Sequence, residues 1–153
     1  LEKWRQRKAA GVILAGAGLA RLGVEGVPIH PLDPEVMIPA PGPGTLALEV
    51  KDGNRAHEAC ARLDHAPSRR AAAAERAVVA AFGGDCTMPI AAWARESGDG
   101  RLRLTALLAT PDGRLSARGD ATGDDPLEVA ARCVGEMRED GAEEVLAHLP
   151  EQK

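Results

Sequence analysis

The sequence has almost no aromatic residues: they make up 2% of its 153 residues, with one phenylalanine, two tryptophans and no tyrosine. Any core must therefore be built from aliphatic side chains and alanine, without the large apolar area that aromatic rings contribute. The length suits one ordinary domain or parts of two. The 44% of hydrophobic and 27% of charged residues are typical of a globular protein.

Long apolar runs and runs of basic residues are also missing. The longest apolar stretch, Gly11–Ala20, is too short to span a bilayer, and no charged-then-apolar leader with a cleavage site is visible. The net charge is -4, and no run of Lys or Arg suggests an anionic membrane surface. We therefore expect neither nucleic acid nor a membrane as a partner.

Cysteines are few, and they are widely spaced. Cys60, Cys86 and Cys133 are an odd number, which argues against a disulfide framework and favours a reducing, cytoplasmic location. The chain begins at Leu1 rather than at a methionine, inside what reads as a helix. We therefore expect it to be the back part of a longer protein.

The first half of the chain predicts short elements separated by loops. Gly11–Ala15 is typical of a buried parallel-type strand, and Gly16–Gly23 predicts a turn and a short helix that the last glycine stops. Residues 24–44 predict a loop with a short strand at Val36–Ile38. Within that loop, the proline- and glycine-rich stretch 39–44 is typical of a domain crossing.

The second half predicts an α+β fold, in which helices cover a three-stranded antiparallel sheet. The expected helices are Asn54–Leu63, Ser68–Phe82, a helix capped by Asp124 or Asp125 and stopped by Gly141, and Ala142–Leu149. The three strands of the sheet are expected at Met88–Arg95, Arg101–Thr110 and Arg114–Ala121, and a separate strand is expected at Thr45–Val50. We predict a partial α/β domain over residues 1–43, a strand–helix segment over 44–65 and the α+β domain over 66–153.

Cys86 is the residue most suited to chemistry. It follows Gly83 and Gly84 on the turn between a helix and a strand. Cysteine is a strong nucleophile that forms stable thioethers, and two glycines let a bulky group approach the backbone closely. The alternative interpretation is a half-buried structural cysteine.

Two arginines are candidate anion receptors. The Gly16-Ala17-Gly18 turn lacks the third glycine of a dinucleotide fingerprint and has Arg21 in its place. A glycine-rich turn with a guanidinium favours a carboxylate site, although Arg21 could equally be a solvated surface charge. Arg76, on the helix that leads to Cys86, could pair with Glu75 or Asp85 or bind an anionic ligand.

The remaining candidates point to structure rather than chemistry. His57, Cys60 and His65 could be metal ligands, but their spacing is not a recognised zinc pattern. We predict no metal site, and instead a helix with one buried cysteine and two surface histidines. Cys133 lies beside the apolar stripe of its helix and is expected to be structural.

Four segments, in order along the chain, resemble the porphobilinogen deaminase (hydroxymethylbilane synthase) family. Val12–Gly23 is similar to the strand and "AGLxRLG" turn of the family, and Ile38–Val50 to its "PAPGQGALAIEV" segment. Ala74–Ala77 is similar to "AERA", and Gly83–Ile90 to "GGCxVPI". Together with a three-stranded α+β tail, these segments cover nearly the whole chain.

The resemblance implies a transferase of tetrapyrrole (porphyrin and heme) biosynthesis. The family condenses four porphobilinogen molecules into a linear tetrapyrrole, with loss of ammonia at each step, on a dipyrromethane cofactor joined by a thioether to the cysteine that matches Cys86. By the same resemblance, Arg21 would hold pyrrole carboxylates, to which guanidinium forks are well suited. Arg76 would do the same or support the cofactor from its helix. Ala15 and Gly18 would bring backbone close to the ligand.

Three departures from the family pattern stand out. Pro43 replaces a glutamine, Asp85 is inserted before the cysteine, and the front half of the family, which carries its catalytic aspartate, has no counterpart here. We therefore expect no catalytic residue in this chain and little activity from it alone. Its implied partners are porphobilinogen, the growing polypyrrole and the missing N-terminal half. The alternative is a non-catalytic α+β binding or interaction domain derived from the same family.

Overall fold

The computed structural model describes residues 2, 6, 8–84 and 87–149. The chain divides into two compact units, Leu1–Leu32 and Asp33–Lys153. The domain boundaries predicted from the sequence, after residues 43 and 65, stay predictions. Among the described residues, no helix is both long enough and apolar enough to cross a membrane.

Among the described residues of the first unit, one helix has defined bounds: α1, which covers Gly16–Arg21. Gly23 adopts a φ of +58° beyond its end, and the Val24 N–H donates to the Leu19 carbonyl, so the predicted glycine stop is confirmed. The strand expected at Gly11–Ala15 is wrong, because these residues have no regular secondary structure and Ile13 is 70% exposed. A strand needs a hydrogen-bonded neighbour, and the described part of this unit contains no other strand.

Two further strand predictions, at the start of the second unit, are also wrong. At Val36–Ile38 the chain turns instead, because Asp33 accepts hydrogen bonds from the backbone N–H groups of Glu35, Val36 and Met37. Thr45–Val50 has no regular structure, and Leu46 is 73% exposed. The alternation of apolar residues is present there, but no described strand pairs with it.

The rest of the second unit forms the predicted α+β fold. Its elements are α2 (Ala56–Ala61), α3 (Ala66–Ala81), β1 (Ile90–Glu96), β2 (Leu102–Ala109), β3 (Ser116–Gly123), α4 (Pro126–Glu139) and α5 (Ala142–Ala147). Helix α3 begins two residues before the expected Ser68, because the His65 side chain accepts the Ser68 N–H and acts as the cap. Asp125 caps α4, and Gly141, with a φ of +99°, separates α4 from α5, both as predicted.

The three strands form an antiparallel sheet in the order β1-β2-β3. The register pairs Trp93 with Thr105 and Thr105 with Asp120, so these three residues share one row across the sheet. Neighbouring residues in each strand face opposite sides. One face therefore carries the apolar core, and the other carries the row of Trp93, Thr105 and Asp120.

The core lies between the inner face of the sheet and helices α3, α4 and α5. It is aliphatic, as the composition predicts, and Phe82 is its one aromatic member among the described residues. Its largest fully buried side chains are Leu104, Leu108, Met137, Val78, Val129, Val145 and Cys133. Helix α4 packs very close to β3. A β-carbon added at Gly119, on β3, would lie only 2.3 Å from the Cys133 carbonyl oxygen on α4.

Candidate functional site

Three of the predicted site residues lie on one turn of the first unit. Ala15 has extended backbone angles (φ -66°, ψ 118°) at the start of α1, and its carbonyl accepts the N–H groups of Gly18 at 3.0 Å and Leu19 at 3.3 Å. Arg21 occupies the last turn of the helix and is exposed. Gly18 lies three residues from both Ala15 and Arg21 and so neighbours each of them along the helix, while Ala15 and Arg21 lie about 120° apart around its axis.

Gly18 leaves open space beside this helix. A β-carbon built there would meet no atom within 4 Å, so packing inside the chain does not require glycine at this position. The absence of a side chain would let a ligand approach the backbone closely. The role that the family resemblance implies for Gly18 stays a prediction.

Arg76 lies on the exposed side of α3. Its neighbour Glu75 is 3% exposed and hydrogen-bonded elsewhere, so the pairing of Arg76 with Glu75 that the sequence allowed does not form. Within the part of the chain that the structure describes, Arg76 forms no ion pair. An exposed guanidinium of this kind can receive a carboxylate in a bidentate contact.

Cys86 and Asp85 lie outside the described residues, but both ends of the segment that carries them are fixed. On the helix side, the Gly83 N–H donates to the Ala80 carbonyl and the Gly84 N–H to the Val79 carbonyl. This confirms the predicted glycine stop of α3. On the strand side, the Pro89 carbonyl accepts the Ala109 N–H of β2 at 3.2 Å. The cysteine segment therefore joins the end of α3 to the sheet.

A close contact joins those two ends. A β-carbon added at Gly84 would lie 2.9 Å from the Met88 sulfur and 3.3 Å from a Val79 methyl carbon. Real side chains do not approach this closely, so a residue larger than glycine at position 84 would displace the flexible Met88 side chain. The packing therefore favours glycine here without requiring it.

Sequence reasoning missed the role of Glu75. Its carboxylate accepts the Gly42 N–H at 2.6 Å and the Ala94 N–H at 2.8 Å. Burial raises the pKa of this carboxyl, and the two backbone hydrogen bonds oppose that rise. The helical spacing contains a signal for this burial, because position 75 lies four residues after Ala71 and three before Val78, both on the apolar stripe of α3.

A charged cluster on the outer face of the sheet was also missed. Arg103 forms a bidentate pair with Asp120 at 2.8 to 3.1 Å, and Arg95 pairs with Glu35 while its guanidinium lies 3.9 Å from the centre of the Trp93 ring. Partial burial raises the pKa of Asp120, but hydrogen bonds from Arg103 and Thr105 outweigh it and leave the pKa below its usual value. The cluster contains both signs of charge, so it is not a receptor for anions alone.

The other cysteines and the histidines take structural positions. Cys133 is fully buried, and burial raises the pKa of its thiol to about 12, so it is not a nucleophile in the folded chain. Cys60 is half-buried on α2, and His65 caps α3. Over the described residues, no group of three or more His, Cys, Asp and Glu side chains could hold a metal ion.

Two family profiles match the chain, in order along it. Residues 1–59 match "Porphobilinogen deaminase, dipyromethane cofactor binding domain", and residues 70–140 match "Porphobilinogen deaminase, C-terminal domain". The first match includes Ala15, Gly18 and Arg21, and the second includes Arg76 and Cys86. Sequence and fold thus agree on the same kind of protein.

Curated relatives with the same name match over most of the chain. The porphobilinogen deaminase of Thermus thermophilus is 40% identical over 91% of this chain and 47% of its own length. That of Ralstonia nicotianae is 41% identical over 97% of this chain and 46% of its own length, and that of Bacillus subtilis is 34% identical over 95% and 47%. The chain therefore spans about half the length of the curated relatives that it matches.

Proposed function

Because the chain belongs to the porphobilinogen deaminase family, we propose that it is the cofactor-carrying part of a hydroxymethylbilane synthase-like transferase. Such an enzyme joins four porphobilinogen units into a linear tetrapyrrole in porphyrin and heme biosynthesis. The observation that carries this proposal is the match of two different profiles of that enzyme, one after the other, over residues 1–59 and 70–140. Conserved order over two domains is far more specific than any single motif.

Cys86 is the proposed attachment point of a dipyrromethane cofactor, through a thioether bond. When bound, this group serves as the primer to which the substrate units are added. The residues present fit such a group, because the cysteine segment is fixed at both ends and Arg76 presents an exposed guanidinium on the helix that leads into it. Each pyrrole ring carries two carboxylates, and arginine binds carboxylates in a bidentate geometry.

The residues of α1 have a different proposed task. Arg21 would bind carboxylates of the cofactor or of the growing chain, while Gly18 leaves space for the ligand to lie against the helix backbone. Ala15 begins this helix and sets its direction, since its carbonyl accepts the first helical hydrogen bonds. These residues bind and orient the ligand, and no proton transfer is assigned to them.

The acid–base chemistry is proposed to reside in the part of the enzyme that this chain does not match. Loss of ammonia leaves an electron-poor carbon whose positive charge needs a carboxylate nearby. Glu75, a carboxyl on the helix that leads to Cys86, is buried and bonded to two backbone N–H groups. We therefore propose that catalysis requires the N-terminal half of the enzyme as a partner, in a cytoplasmic setting.

A reconstitution experiment tests this function. The chain is produced with the front half of the Ralstonia nicotianae relative, and tetrapyrrole formation from porphobilinogen is followed by absorbance. Each part alone should be inactive, and the combination should be active. Cys86→Ser should abolish this activity, whereas the matched control Cys60→Ser should keep it.

Two results would contradict the proposal. One is an inactive combination in which both parts are folded and associated, which would favour a non-catalytic binding domain. The other is full activity of the Cys86→Ser variant, which would exclude the thioether anchor.

The role of Arg76 can be tested in the same assay. Arg76→Ala should lower cofactor retention or raise KM for porphobilinogen, because a carboxylate receptor is lost. Arg69→Ala is a matched control on the same helix, since Arg69 is exposed and pairs only with Asp64 among the described residues. Equal effects of the two substitutions would argue against a specific role for Arg76.

A further inference from the structure

Strand β1 is at the edge of the sheet, so some of its backbone N–H groups point away from β2. Two of these outward N–H groups donate hydrogen bonds to acceptors of different kinds. The Ala92 N–H donates to the Pro39 carbonyl at 3.2 Å, as in an ordinary strand pairing. The next outward donor, the Ala94 N–H, finds no backbone partner on that segment and donates to the Glu75 carboxylate at 2.8 Å. At Ala94, therefore, the edge strand pairs with a side chain from α3, whereas at Ala92 it pairs with a backbone carbonyl.

The composition of the 39–44 segment explains why a side chain is needed there. Pro39, Pro41 and Pro43 have no N–H group, so the segment cannot pair as a regular strand. Gly42 supplies one of its few donors, and its N–H reaches the second Glu75 oxygen at 2.6 Å. Gly42 has a φ of +69°, a conformation that favours glycine. Glu75 therefore bridges the segment and β1 through its two oxygens.

This bridge is a buried tie between residues 33–44 and the sheet. Glu75 is 3% exposed, so its charge is stabilised by the two N–H donors rather than by water, and losing either donor would leave a buried acceptor unpaired. The same residues are also tied to the sheet by the Ala92–Pro39 hydrogen bond and by the ion pairs of Glu35 with Arg95 and Arg103. The Glu35 side chain is 45% exposed, and exposed pairs contribute little.

We propose that Glu75 is a positioning residue that fixes the path of the chain at residues 39–44, between the sheet and the segment that follows. In the assembled enzyme this contact would set how the domain that carries Cys86 stands relative to the rest. That second statement rests on the proposed function, whereas the first concerns this chain alone.

Hydrogen exchange of single amides in this chain tests the first statement. Glu75→Ala removes both acceptors, and Glu75→Gln keeps one carbonyl oxygen. The Gly42 amide should exchange about tenfold faster or more in Glu75→Ala, and by a smaller factor in Glu75→Gln. The amides of Leu104 and Ala106, in the middle of the sheet, should stay within about twofold of the wild type. Glu139→Gln, an exposed site on α4, is the matched control and should change nothing.

Either of two outcomes would overturn this statement. An unchanged Gly42 rate in both variants would show that Glu75 does not hold the segment. Equal acceleration at Gly42 and in the middle strand would show a purely structural role in the whole domain. If Glu75→Ala does not fold, the same comparison is read from Glu75→Gln.

The statement on the assembled enzyme has its own readout. With the front half of the relative present, Glu75→Gln should lower kcat at least fivefold while the mass of the attached cofactor is unchanged. An unchanged kcat together with faster Gly42 exchange would overturn this second statement. Failure of the proposed function would look different, because the wild-type combination itself would then be inactive.

Discussion

Gly119 is the position at which a single methyl group should do most damage to this fold. A β-carbon there would lie 2.3 Å from the Cys133 carbonyl oxygen and 2.9 Å from the Met137 γ-carbon. An ordinary carbon–oxygen contact is about 3.3 to 3.6 Å, so α4 would have to move about 1 Å away from β3. Because the nearest atom belongs to the backbone, no rotamer change relieves the overlap.

We therefore expect Gly119→Ala to lie at the upper end of the overpacking range, at about 3 kcal/mol. For a domain of this size, that corresponds to a fall in Tm of roughly 10 to 20 °C. Gly135→Ala, on α4, is the matched control, since among the described residues no atom lies within 4 Å of its added carbon. It should stabilise the chain by about 0.5 to 1 kcal/mol, because alanine is the better helix former.

Urea unfolding followed by circular dichroism measures both values. A Gly119→Ala variant as stable as the wild type would refute the close approach of α4 to β3. Equal destabilisation by the two substitutions would show that glycine flexibility, rather than packing, sets the effect.

Two further predictions concern titratable groups. The pKa of Asp120 is lower in the folded chain than its usual value, so this carboxylate stabilises the fold above its unfolded pKa and loses that contribution as the pH falls through the folded pKa. Between about pH 5 and pH 2, urea titrations should therefore show the wild type losing up to about 1 kcal/mol more than Asp120→Asn, and identical pH profiles would count against the Arg103 pair. Burial raises the pKa of Cys133 to about 12, so native Cys133 should resist iodoacetamide at pH 8 and react in denaturant; equal rates in both conditions would show that this thiol is not buried.

The α+β domain was predictable because local pattern and tertiary fold agree there. Alternation over the three strands and helical spacing over α3 and α4 both have a buried partner surface within the same unit. The glycines after α3 and α4 are set by local backbone chemistry, so the sequence alone identifies them. The sequence limits the cap of α4 to Asp124 or Asp125, and the structure shows that it is Asp125. The composition likewise predicted the aliphatic core.

The wrong strand predictions have a common physical cause. Gly11–Ala15 and Thr45–Val50 have strand-like sequences, but a strand forms only with a hydrogen-bonded neighbour, and the described residues offer none. An apolar pattern shows which residues could face a core, but it does not show whether the surface that would cover them belongs to the same chain. Val36–Ile38 failed for a local reason, the turn that Asp33 organises.

The candidate site could be predicted only in part from the sequence. Family motifs predict roles for Cys86, Arg76 and the α1 residues, but they do not reveal long-range contacts. The Glu75 bridge joins residues 33 and 19 positions away along the chain, and no local pattern encodes such distances.

The central claim is that Cys86 carries a covalent dipyrromethane group, and the intact mass of the protein tests it most directly. The chain is produced together with the front half of the Ralstonia nicotianae relative and measured without delay, with Cys86→Ser and Cys60→Ser in parallel. We predict a mass increase of one dipyrromethane group, present in the wild type and in Cys60→Ser and absent in Cys86→Ser. An unmodified wild-type mass, or an increase that survives in Cys86→Ser, would contradict the account.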